Sequence, residues 1–192
     1  MTIMAIPSWT ASGVLPPVNE SAPTSRIRSP YEVTLDDLVG HFNGTPERRA
    51  ILAGLLDFRA ALHRVGIVRG FQWLDGSFVE NVEALEDRPP RDIDVVTFFH
   101  APSGETQETL AERHPALFNK RETKSRYRVD AYFVQMDAGD PMVLVSHSTY
   151  WYSLWAHRRS GEWKGYLRTD LAPAMDPAAQ ALLSGPFQGG EQ

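Results

Sequence analysis

The sequence predicts an α/β (α+β) domain preceded by an extended N-terminal arm. Three observations carry this. One long stretch has apolar residues at helical spacing, several short apolar runs read as strands separated by helical patterns, and the first 46 residues hold six of the fourteen prolines. The expected division is an arm with a short helix over 1–44, a domain over 45–175 and a tail over 176–192.

The arm segment "LPPVNESAPTSRIRSP" cannot be a long helix, because each proline removes a donor and restricts its predecessor. Ile6, Trp9, Val14 and Leu15 are apolar, so the arm should wrap the domain rather than float. "TLDDLVGHF" reads as a short helix capped by Thr34, with Asp36 and Asp37 in its first turn. In "TPERRAILAGLLDFRAALHRVG" Thr45 caps, Pro46 takes the first position and Gly66 closes. Ile51, Leu55, Phe58, Leu62 and Val65 follow 4-3-4-3 spacing and form one buried stripe.

Strands are expected at about 70–75 and 92–99. A helical pattern starts near Ser103 and breaks at Pro115. "RYRVDAYFVQ" (126–135) reads as a third strand, 143–158 as a helix and "EWKGYLRTDL" (162–171) as a last strand.

The 42% hydrophobic content allows a substantial core. Cysteine is absent, which excludes a disulfide framework and a thiolate zinc site. The N-terminus lacks the basic start and apolar run of a signal peptide, and no stretch reaches the ~20 apolar residues of a membrane span. The expectation is a soluble cytoplasmic protein without a membrane partner. A net charge of −5 argues against a broad surface for duplex DNA.

The chemistry concentrates in "WLDGSFVE" and "RDIDVVTFF". Residues two apart on a strand share a face. Asp92, Asp94, Val96 and Phe98 therefore lie together, opposite Ile93, Val95, Thr97 and Phe99, the better core face. The same rule in 126–135 groups Arg126, Arg128, Asp130 and Tyr132. If the two strands are neighbours, three carboxylates converge. Like charges so placed call for a cation, and oxygen-only ligands favour a hard ion such as Mg²⁺ or Mn²⁺. Upstream, Gly76 lets backbone approach a phosphate and the Ser77 hydroxyl can donate to it.

Gly-Ser, a spacer, Asp-x-Asp and a third carboxylate on a later strand resemble the DNA polymerase β-like nucleotidyltransferase superfamily. The matching residues are Gly76, Ser77, Asp92, Asp94 and Asp130. "IPSWTASGVLPP", "ERRAILAGLLDF", "WLDGSFVE", "DIDVVTFF" and "WKGYLRTDL" together resemble the small bacterial proteins of the DUF6932 type over nearly the whole chain. The resemblance implies a minimal nucleotidyltransferase fold, a mixed central sheet flanked by helices. It also implies transfer of a nucleoside monophosphate from an NTP to an RNA end, a protein hydroxyl or a small molecule, and in some relatives a place in toxin–antitoxin or phage-defence loci. Asp92, Asp94 and Asp130 would then be catalytic metal ligands, with Gly76 and Ser77 on the phosphates.

Arg128, in the basic run from Lys120, is a candidate to grip triphosphate or an RNA acceptor, and Lys164, on the last strand, to reach phosphate. The competing expectation for the run is a solvated loop, and for Asp92 and Asp94 an ion-pair cluster with Arg126 and Arg128. The turn is followed by the acidic "FVENVEALEDRPPR", expected as a loop that folds away or closes on substrate. A non-catalytic module acting through a protein partner is the alternative function. The acidic 80–87 loop and the aromatic C-terminal segment would then be its contact surfaces.

Overall fold

The structure is a computed structural model and describes residues 5–186. The remaining ends of the expected arm and tail, 1–4 and 187–192, lie outside the described residues. Five strands form one mixed sheet: β1 (Tyr31–Glu32), β2 (Gly70–Asp75), β3 (Ile93–Phe99), β4 (Val129–Gln135) and β5 (Leu167–Asp170). Their order is β1-β5-β2-β3-β4. β2 runs antiparallel to both β3 and β5, while β3/β4 and β1/β5 are parallel.

The alternation along β3 separates two cores. Ile93, Val95 and Phe99 join the larger one, with Leu74, Val129, Ala131 and Leu167. Helices α1 (Leu35–Phe42) and α2 (Pro46–Arg64) close that face. Thr34 and Thr45 cap them as expected, each accepting from the backbone N–H three residues on. Val96 and Phe98 face the other way, among Trp73, Val134, Tyr166, Trp151 and Trp155. The last two come from α7 (Pro141–Trp155), which touches the body along a single seam. Its other flank leaves Met142, Val145 and Tyr150 more than half exposed.

The arm lies along the domain. Leu15 is buried and bridges Gly165, and the Trp9 indole N–H donates to the Val79 carbonyl. A groove of about 830 Å³ between parts of the arm, bordered by Trp9, Asn19 and Tyr31, includes none of the candidate site residues.

Four expectations need correction. The strand expected at 126–135 begins only at Val129, because Lys120–Tyr127 is a helix, α6. The Asn119 side chain accepts from Arg121 N and Glu122 N, and the helix stops at Arg128 in the left-handed region (φ 56°). Arg126 and Arg128 therefore do not share the Asp130 face. Gly54 of α2 packs against the Tyr127 carbonyl, where a Cβ would collide, so α6 and the start of β4 are held close to α2.

The segment after Ser77 is ordered: a 3-10 turn (Ser77–Val79) leads into α3 (Val82–Glu86). The strand expected over 162–171 is regular only at Leu167–Asp170, with isolated bridges before it. Much of the supposed tail is helix α8 (Asp176–Ser184), packed on α1 and α2. Asp176 anchors it by accepting from the buried Arg59 guanidinium at 2.7 and 3.0 Å. The helical pattern near 103–118 resolves into α4 (Gln107–Arg113) and α5 (Pro115–Phe118), divided at His114.

Candidate functional site

Strand register builds the site. β3 and β4 pair in parallel with Asp94 opposite Asp130, and β2 pairs with β3 so that Asp75 lies opposite Asp94. Cross-strand partners project to the same side. Three adjacent strands thus present Asp75, Asp94 and Asp130 in one row, with Asp92 two residues before Asp94. Sequence reasoning missed Asp75. Its signal was its position directly before Gly76, at the end of the strand that pairs with the Asp-x-Asp strand.

The turn beside the row is shaped around it. Gly76 has φ 84° and ψ −171°, a region open essentially only to glycine. A Cβ there would run into the Asp94 carboxylate. Ser77 opens the 3-10 turn, whose first amides receive no side-chain cap.

Charges around the row are unevenly compensated. Lys124 Nζ lies 2.7 Å from Asp92 Oδ2 and 3.9 Å from Asp130 Oδ2, and Lys120 Nζ lies 3.0 Å from Asp130 Oδ1. The Asp92 and Asp130 partners are thus lysines of α6, not Arg126 or Arg128. Asp130 Oδ1 is buried and accepts no hydrogen bond, so the Lys120 contact there is one of charge rather than an aimed bond. Among the described residues no hydrogen bond or ion pair reaches the Asp94 carboxylate. Burial, then the neighbouring Asp130 and Asp92, push its pKa up to about 6.

Asp75 and Glu80 share the buried Lys164 ammonium, at 2.8 and 2.9 Å. Burial is the largest influence on Asp75 and raises it to about 7, against the pull of Lys164. Arg158 binds Glu80 from the other side at 2.7 Å. Lys164 was expected to reach phosphate, but its ammonium is held beneath the turn. Arg128 is exposed at the C-terminus of α6. Nor does the acidic segment line the site as a loose loop. Glu80 is internal, and Glu83 takes two hydrogen bonds from the buried Arg48. Arg48 also donates to the Phe78 and Glu80 carbonyls, which fixes the far end of the Gly-Ser turn.

The family model of DUF6932, a family of unknown function, matches residues 7–170. The chain belongs to the DUF6932 family. The match takes in every candidate residue from Gly76 to Lys164, so the carboxylate row and the Lys164 pairing lie in the DUF6932 region. No curated protein and no solved structure matches the chain.

The donors of this DUF6932 site suit a hard divalent cation. All are carboxylate oxygens, and Asp94 lacks a partner. As placed, the side chains do not close a cage: among the described residues no three Asp, Glu or His converge on one point. Lys120 and Lys124 instead sit against Asp130 and Asp92, with Lys124 between the two. Among the described residues no helix is long and apolar enough to cross a membrane.

Proposed function

We propose that the protein is a metal-dependent nucleotidyltransferase that moves a nucleoside monophosphate from an NTP to a hydroxyl acceptor. The observation that carries this reading is the Asp94–Asp130 register pair, with Asp94 unpaired and pressed against the glycine of a Gly-Ser turn. It also agrees with the resemblance of Gly76, Ser77, Asp92, Asp94 and Asp130 to the polymerase β-like pattern.

In this scheme Asp92, Asp94 and Asp130 hold Mg²⁺ or Mn²⁺. When bound, such ions neutralise the triphosphate and stabilise the charge that develops on the leaving oxygen. Gly76 brings the chain close to the phosphates, and the Ser77 hydroxyl donates to a phosphate oxygen. In this scheme Asp130, at the start of an edge strand, accepts the acceptor hydroxyl's proton. The acceptor oxygen bonds to the α-phosphorus as the bond to pyrophosphate breaks. Lys164 positions rather than binds, tying Asp75 and Glu80 to the segment that leads into β5.

Thermal unfolding with each of the four NTPs, with and without Mg²⁺ or Mn²⁺, tests the reading. A ligand at ~100 times its Kd stabilises by about 2.7 kcal/mol. The expected result is a metal-dependent shift with at least one NTP, lost in Asp94→Asn. A full shift in Asp94→Asn would overturn the assignment.

A second reading, a module that works through a protein partner, is favoured by α7. This helix contains no Asp, Glu, Lys or Arg, yet Met142 is 70% and Val145 59% exposed, with Trp163 nearby in sequence at 62%. It predicts a complex that survives Asp94→Asn and is lost with Val145→Asp.

A further inference from the structure

We propose that Lys120 and Lys124 are built-in counterions of the carboxylate row, which hold it closed to free metal and move to the triphosphate when nucleotide and metal bind together. This inference rests on the metal-dependent reading above.

The geometry supplies the competition. Lys120 and Lys124 are four residues apart on α6, so both point to one side of the helix. Their ammonium groups contact Asp92 and Asp130, two of the three oxygen donors a cation would need. An ammonium and a divalent ion cannot both occupy that position, because like charges in contact repel. The lysines therefore oppose a lone metal.

The same structure lets them leave. Their side chains are 50% and 53% exposed, while those of Asp92 and Asp130 are 19% and 15% exposed. The carboxylates are the fixed half of each pair and the lysines the mobile half. A lysine is a point charge on a flexible four-carbon stem, suited to changing partners. In the same placement Lys120 Nζ also donates to the Tyr132 hydroxyl at 2.5 Å and lies 4.1 Å from its ring centre, a contact that does not depend on Asp130.

A triphosphate arriving beside the row offers the ammonium groups a denser negative charge than two carboxylates do. As they turn to it, Asp92 and Asp130 are released to metal. Metal and triphosphate then bind with positive coupling, each tightening the other by the same factor. The lysines are positioning residues whose partner changes with the state of the site.

The test measures Mn²⁺ binding to the full chain from the loss of its aqueous electron-paramagnetic signal. Wild type is compared with the double variant Lys120→Met, Lys124→Met and with the charge-retaining Lys120→Arg, Lys124→Arg. Inorganic tripolyphosphate with Mg²⁺, followed by calorimetry, is the nucleotide-independent probe of the second half. The Met variant should bind Mn²⁺ about tenfold tighter than wild type, the order expected when two part-exposed ion pairs no longer compete. It should bind tripolyphosphate about tenfold more weakly, and the Arg variant should stay near wild type on both.

Mn²⁺ affinity in the Met variant equal to or below that of wild type would overturn the counterion role and leave the metal site standing. Absence of Mn²⁺ binding in all three proteins, with or without tripolyphosphate, would instead remove the nucleotidyltransferase reading itself.

Discussion

Gly76 sits so close to the Asp94 carboxylate that no side chain fits between them. The turn and the central carboxylate of the row are thus one unit. Gly76→Ala must relieve both the contact and a backbone conformation that non-glycine residues resist, at about 1–3 kcal/mol. Urea denaturation should show that loss, and any nucleotide-dependent stabilisation should vanish. An unchanged midpoint would mean that the turn relaxes and does not depend on glycine.

Asp94 gives the fold a specific pH dependence. Its pKa rises from 3.8 to about 6, so the folded chain holds this proton more tightly than the unfolded chain. The stability it contributes is full below the unfolded value and is lost as pH rises through about 6, a change of about 3 kcal/mol at most. Asp94→Asn removes that slope. Metal-free Asp94→Asn should therefore be more stable than wild type near pH 8 and comparable to it near pH 4, as read by unfolding at both pH values.

Lys164 is shared by two buried carboxylates, Asp75 and Glu80, of which Glu80 also pairs with Arg158. Removing only the cation leaves both without their shared partner, so Lys164→Met should cost roughly 3–5 kcal/mol. Adding Asp75→Asn to that variant should recover part of the loss. A double-mutant cycle checks this, and strict additivity would show that Asp75 and Lys164 do not act together.

A buried ion pair anchors helix α8. Arg59 is fully buried, and its guanidinium donates twice to Asp176 and once to the Gln72 side chain. Asp176→Ala should cost about 3–5 kcal/mol, because the arginine stays charged without its counterion. Replacing Arg59 with Met in the same chain should restore much of it. Equilibrium unfolding of the single and double variants tests the coupling.

Much of the scaffold was legible in local sequence. Thr34 and Thr45 announced their helices because a cap is settled within three residues of its own position. The alternation along Ile93–Phe99 assigned both faces of β3, because strand geometry alone fixes which residues share a side. Gly76, Ser77, Asp92, Asp94 and Asp130 stood out by spacing.

Other features depended on contacts that spacing does not carry. Asp75 joins the row only through the β2–β3 register. "KRETKSRY" read as a basic loop running into a strand at Arg126, because its helix has almost no apolar stripe. The Asn119 cap, with Thr123 and Tyr127 buried, decides for helix and thereby brings Lys120 and Lys124 to the carboxylates. The C-terminal segment looked like a tail because its anchor, Arg59, lies 117 residues away along the chain. Lys164 looked free to meet phosphate because both its partners lie more than 80 residues upstream.

The sequence by itself determined the starts of α1 and α2 and the two faces of β3, all of which follow from interactions within a few residues. The tertiary structure alone decided which charges are satisfied. Charge pairing depends on distance in space, and strand register and helix docking set that distance.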